Sequence, residues 1–185
     1  MTLLSQRTEA HHLTGLDQAG QTVSLLGWVQ RRRDHGGVIF VDMRDRSGIV
    51  QIVFNPDMPD GGFVTAEKLR NEFVISVRGV VRQRPAGQEN LNLDTGQIEV
   101  TAEYLAILNT AKTPPFYIQD QIDVDEPLRL KHRYLDLRRP EMFAVFAQRH
   151  RVVQTMRNFF DRQGFLELET PMLGLSSPEG ARDYL

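Results

Sequence analysis

The run Val38 to Arg44 constrains this chain more than any other stretch, because every second residue from Ile39 is apolar while the opposite parity carries Phe40, Asp42 and Arg44. Side chains on a strand point to opposite faces in turn, so Ile39, Val41 and Met43 share an inward face. Phe40, Asp42 and Arg44 share the other. Asp45-Arg46-Ser47-Gly48 reads as a tight turn. Ile49 to Phe54 then repeats the pattern, with Val50, Ile52 and Phe54 inward and Gln51 outward. A lone hairpin is marginal in water, so these two strands need neighbours.

The flanking sequence supplies them. Gln21 to Arg33 predicts one long strand, closed by a Gly36-Gly37 turn. Asn55 to Gly62 reads as loop and Phe63 to Asn71 as a short helix. Phe73 to Arg84 predicts a fourth strand, Pro85 to Gly96 a polar loop, and Gln97 to Leu108 a fifth strand. Five strands with a helix between the third and fourth is the layout of an all-β OB-fold barrel, which binds oligonucleotides on strands two and three and nearby loops. A different small β-barrel is the competing architecture. Residues 1–109 form this domain in our reading.

Residues 110–139 read as a hinge, with Thr113-Pro114-Pro115 and Pro127 bracketing a polar, acidic segment. Pro140 opens a helix in which Met142, Phe146, Arg149, Val153, Met156 and Phe160 recur at helical spacing, and Gly164 marks its end. Phe165 to Leu168 predicts a strand, stopped by Pro171. Residues 140–185 read as the opening of a second domain.

Charge alone does not name a partner: 22 basic residues nearly cancel 24 acidic ones, so a nucleic-acid surface has to be concentrated locally. Arg31, Arg32 and Arg33 end the first strand, and Arg78, Arg82 and Arg84 lie on the fourth. The absence of cysteine excludes disulfides, thiolate catalysis and cysteine metal sites. The first residues lack the apolar run of a secretory signal, and no stretch approaches the roughly 20 apolar residues that span a bilayer.

Phe40 stands among polar neighbours, where a ring offers a base a stacking platform worth roughly 1–3 kcal/mol. Gln51, outward beside it, carries a donor and an acceptor for a base edge. Two readings stay open on pattern alone: Phe40 packs under the first strand or the N-terminal arm, or it faces solvent. The triple arginine is either a solvated edge or a phosphate contact.

Several motifs carry a resemblance. Gly27 to Asp34 (Gly-Trp-Val-Gln-Arg-Arg-Arg-Asp) and Ile39 to Gln51 resemble the anticodon-binding domain of aspartyl-tRNA synthetases. Arg133 to Pro140 (Arg-Tyr-Leu-Asp-Leu-Arg-Arg-Pro) is similar to the segment before the catalytic helix of that family. Gly164 to Leu173 resembles class II motif 1. Ser177 to Leu185 (Ser-Pro-Glu-Gly-Ala-Arg-Asp-Tyr-Leu) resembles the substrate-closing loop of the bacterial enzymes.

The resemblance implies an OB-fold, a hinge and the start of an α+β class II catalytic domain. It implies that Phe40 stacks on the middle anticodon base, a uridine, and that Gln51 bonds its edge. Arg31 and Arg33 would contact anticodon bases or nearby backbone, and the loop Pro85 to Gly96 would lie near an outer base. Pro171 would sit at a homodimer interface. Glu179 would approach the ammonium of bound aspartate, although by itself it is an ordinary loop carboxylate. His35, where many discriminating members have leucine, implies a relaxed enzyme that charges both tRNA(Asp) and tRNA(Asn). A cytoplasmic ligase using ATP and Mg²⁺ follows from the family. The sequence holds neither Phe-Arg-x-Glu nor Gly-x-Gly-x-Gly-x-x-Arg, so these residues alone are expected not to form aminoacyl-tRNA. A free-standing OB-fold binder of single strands and a dimerisation fragment are the alternatives.

Overall fold

The computed structural model describes residues 7–13 and 16–172. The chain divides into two compact units, Met1–Pro114 and Pro115–Leu185. In the first, β1 (Thr22–His35), β2 (Val38–Arg44), β3 (Ile49–Phe54), β4 (Val74–Gln83) and β5 (Ile98–Asn109) close in the order β1-β2-β3-β5-β4. All neighbours are antiparallel except β3 and β5. The expected OB-fold layout is therefore present.

Local chemistry explains the closure. The β1–β2 connection is a two-residue turn with Gly36 and Gly37 at φ 62° and 80°. Both values are in the left-handed region that only glycine enters at no steric cost, and the resulting turn suits the right-handed twist of a hairpin. At Gly79 the β4–β5 register shifts, and a Cβ there would lie 2.2 Å from the Thr101 carbonyl oxygen. Ile39, Val41 and Met43 are fully buried with Val50, Ile52 and Phe54, as alternation requires.

Two short segments plug the barrel. α1 (Gly62–Glu67) buries Ala66, and Leu69 follows it into the core. The expected helix to Asn71 stops early because the chain is drawn back to β1: the Glu72 amide donates to the Val29 carbonyl at 2.7 Å. The N-terminal arm buries Ala10 and Leu13 in the same core. Its Ala10 amide donates to Asp45 Oδ2 at 2.8 Å, in the β2–β3 turn.

The second unit holds α2 (Glu126–Lys131), α3 (Arg133–Asp136) and α4 (Pro140–Arg162). Two short helices thus occupy part of the segment read from sequence as hinge. Asp136 is fully buried and accepts from Arg133 Nη1 at 2.8 Å and from Arg139 Nε at 2.9 Å. α4 begins at the predicted proline, and Gly164 past its end has φ 81°. The predicted strand Phe165 to Leu168 is not a strand. A strand needs a partner for its backbone groups, and none of the described residues provides one. Phe165 instead turns back, its amide donating to the Phe160 carbonyl at 3.1 Å, with the two rings edge to face. Among the described residues no helix is long and apolar enough to cross a membrane.

Candidate nucleic-acid interface

The outer face of β1, β2, β3 and β5 gathers most of the residues singled out from sequence. β1 reaches this face by a device that plain alternation misses. Val23, Leu25 and Val29 point inward, so unbroken alternation would send Arg31 and Arg33 into the core. A bulge at Gln30 shifts the register, pairing Val29 with Met43 but Arg31 with Asp42. Arg31, Arg33 and His35 are thereby turned outward, level with Asp42, Phe40 and Val38. Arg32 takes the inward side, its Nε 3.3 Å from the Ala66 carbonyl oxygen.

Phe40 lies on the outer face, half-buried and outside the core cluster. In register it stands between Arg33 and Val53. The His35 ring meets it edge to face, with centroids 6.2 Å apart. An aromatic with one face available beside basic side chains is the arrangement that catches an unstacked base.

Gln51 departs from the expectation of an open amide. It is on the outer side but only 7% exposed, covered by the longer side chains beside it. Arg33 Nη2 donates to its Oε1 at 3.2 Å, and its Nε2 donates to Glu99 Oε2 at 2.9 Å. Arg33 Nη2 also donates to Asp42 Oδ1 at 2.5 Å. Asp42, Arg33, Gln51 and Glu99 thus form one chain of hydrogen bonds across four strands. It fixes the amide orientation, and a second Gln51 N–H and a second oxygen lone pair remain for a ligand.

Arg84 also departs from expectation. Read as part of a basic surface, it is only 6% exposed, and its Nε donates to the Ile98 carbonyl at 2.9 Å. Burial pulls its pKa below the usual arginine value, while Glu99 and Asp42 oppose that change. The guanidinium remains a cation, because arginine titrates so far above neutral pH. Arg84 therefore balances the two carboxylates. Glu99 escaped the sequence reading, and Asp42 was placed on the outer face without a role; outward parity was the available signal for both acids.

Arg31 is exposed, and Pro171 is exposed beyond α4. Glu179 and the stretch Ser177 to Leu185 lie outside the described residues.

The comparisons bear on the two parts of the chain. Residues 23–108 match the OB-fold nucleic acid binding domain of the tRNA anticodon type, and residues 125–185 match class II tRNA synthetases of the D, K and N group. The class is thus an OB-fold joined to a class II tRNA synthetase. Aspartate–tRNA(Asp/Asn) ligase of Heliobacterium modesticaldum is 62% identical over 170 residues, covering 92% of this chain and 28% of the relative. The protein of that name from Syntrophomonas wolfei is 59% identical over 177 residues, covering 95% and 30%. Over the matched residues the chain is similar to aspartate–tRNA(Asp/Asn) ligases, and it spans under a third of the length of these curated relatives.

Solved structures share the fold. Aspartyl-tRNA synthetase from Entamoeba histolytica superposes with a TM-score of 0.81 at 23% identity, over 94% of this chain and 41% of that one. Asparaginyl-tRNA synthetase from Pyrococcus horikoshii, complexed with asparaginyl-adenylate, gives 0.78 at 25% identity, over 95% and 38%.

Proposed function

We propose that this chain provides the anticodon-reading part of an aspartate–tRNA ligase together with the entrance to its catalytic domain. The observation that carries the proposal is the Phe40 ring, held on the outer face of the barrel beside the Arg33–Gln51–Glu99 network. Residues 1–109 read the RNA, 110–139 join the two parts, and 140–185 begin the class II domain.

In this reading a splayed uridine, the middle anticodon base, stacks on Phe40. Gln51, its orientation fixed from both sides, offers its remaining N–H and lone pair to the base edge. Arg31 and Arg33 meet neighbouring bases or backbone, and the loop Pro85 to Gly96 lies near an outer base. His35, in contact with the same ring, favours acceptance of both tRNA(Asp) and tRNA(Asn), which fits the Asp/Asn designation of the relatives. Glu179 takes the aspartate ammonium, and Pro171 belongs to a homodimer interface. The protein acts in the cytoplasm.

The whole reaction uses ATP and Mg²⁺ to activate the aspartate carboxylate. The sequence holds neither Phe-Arg-x-Glu nor Gly-x-Gly-x-Gly-x-x-Arg, so no activation step is assigned to these residues. The stretch is expected to show no ATP–pyrophosphate exchange.

The decisive measurement is titration of a tRNA(Asp) anticodon stem-loop. Phe40→Ala should weaken binding by about 1–3 kcal/mol while the fold is retained. Unchanged affinity in a folded variant rejects the stacking role.

A further inference from the structure

The hydrogen-bond chain across the outer face leaves two cations uncompensated. Opposed side chains on paired strands approach closely enough to interact directly, and opposite charges there stabilise each other. Register places Arg31 opposite Asp42, and Arg82 opposite Glu99. Each arginine therefore has a carboxylate where a cross-strand ion pair is expected. Neither pair forms. Asp42 gives its Oδ1 to Arg33, and Glu99 gives its Oε2 to Gln51. Arg31 and Arg82 remain exposed, and among the described residues neither has a hydrogen-bond or ion-pair partner.

The row running from β1 through β2, β3 and β5 to β4 is consequently charged at its ends and neutral in its middle. The middle sets Arg33 and Arg84 against Asp42 and Glu99. Arg31 and Arg82 terminate that row as free guanidinium groups, four inter-strand steps of about 4.8 Å apart counted through β2, β3 and β5; the barrel also closes by direct pairing of β1 with β4, between Thr22–Trp28 and Val74–Val80. A forked, permanently charged donor without a protein acceptor suits a phosphate oxygen.

We propose that Arg31 and Arg82 are two phosphate-binding posts, so that an RNA strand crosses the barrel with its backbone anchored at β1 and β4 and its bases over β2 and β3. This rests on the RNA-binding reading above and extends it to β4, which lies beyond the base-reading strands. The two arginines hold the strand irrespective of its sequence; Phe40 and Gln51 read it.

Salt titration separates these roles. The probes are two hairpins of equal length, one carrying the tRNA(Asp) anticodon loop and one a scrambled loop. Each neutralised phosphate of a single strand contributes about 0.7 to the slope of log K against log salt. Arg82→Gln and Arg31→Gln should each lower the slope by about that amount, equally for both hairpins. Arg82→Lys should keep the slope, since the charge is retained. Melting curves matching the parent show that the variants are folded.

An unchanged slope in folded Arg82→Gln overturns the proposal. So does a loss confined to the anticodon hairpin, or failure of the parent chain to bind either probe. If the slope falls as expected while the parent prefers neither loop, the posts stand and the anticodon reading fails.

Discussion

At the scale of single residues, the face is organised by which polar groups are already spent. Gln51, Asp42 and Glu99 hold one another through Arg33, so none of them is a free arm waiting for RNA. An amide fixed before binding loses less rotamer entropy on contact, which favours selectivity over adaptability. His35 acts through its neighbour: the imidazole lies edge-on to the Phe40 ring, at the end of β1 beside the glycine turn. Replacing it removes that edge contact and a polar group at the rim of the stacking site. His35→Leu should shift the ratio of dissociation constants for tRNA(Asp) and tRNA(Asn) stem-loops toward tRNA(Asp), measured by parallel titrations. An unaltered ratio removes His35 from the determinants of breadth.

At the scale of elements, two features differ sharply in how they are held. α2, α3 and the start of α4 are tied by Asp136, a buried carboxylate between Arg133 and Arg139, with Arg129 Nη1 3.9 Å away. Arg139 is itself only 4% exposed, so removing the carboxylate strands a buried cation. Breaking such a pair costs on the order of 3–5 kcal/mol. Asp136→Ala should therefore abolish cooperative melting of this helical segment, followed by circular dichroism, with the barrel transition retained. The body of α4 is held differently. Its Phe146, Val153, Met156 and Phe160 keep the spacing of a core stripe yet are 37–56% exposed, without cover among the described residues. Helical periodicity is local and forms regardless. Burial of the stripe requires a second surface, which periodicity does not supply.

At the scale of the whole molecule, the N-terminal arm joins the barrel by charge as well as by packing. Arg46 first, and Arg7 second, hold the Glu9 carboxyl below its usual value of 4.5. A group whose pKa is depressed on folding adds stability above its unfolded pKa and loses it as pH falls through the folded value. The melting temperature should thus fall on acidification from about pH 5 downward, and Glu9→Gln should remove part of that fall. Parent and variant should differ near neutral pH and converge in acid; parallel curves would deny Glu9 this role.

The limits of sequence reading are visible at particular residues. Val38 to Arg44 and Ile49 to Phe54 declare their own faces, because alternation is a property of adjacent residues. Their bounds and the inward sets were legible directly, whereas pattern left open whether the Phe40 ring is covered or faces solvent. Arg31 and Arg33 were not legible, since a single bulge at Gln30 reverses the parity of everything after it and no pattern marks it. The pairing of Gln51 with Glu99 was also hidden, because it joins residues 48 positions apart and depends on β5 lying beside β3. The amino-acid sequence by itself determined the five barrel strands, the helix from Pro140 and the family resemblance. Only the tertiary structure decided which outward charges neutralise one another and which stay free for a ligand. The physical reason is range: side-chain direction follows from the backbone of neighbouring residues, whereas charge compensation depends on register and closure across the ring of strands.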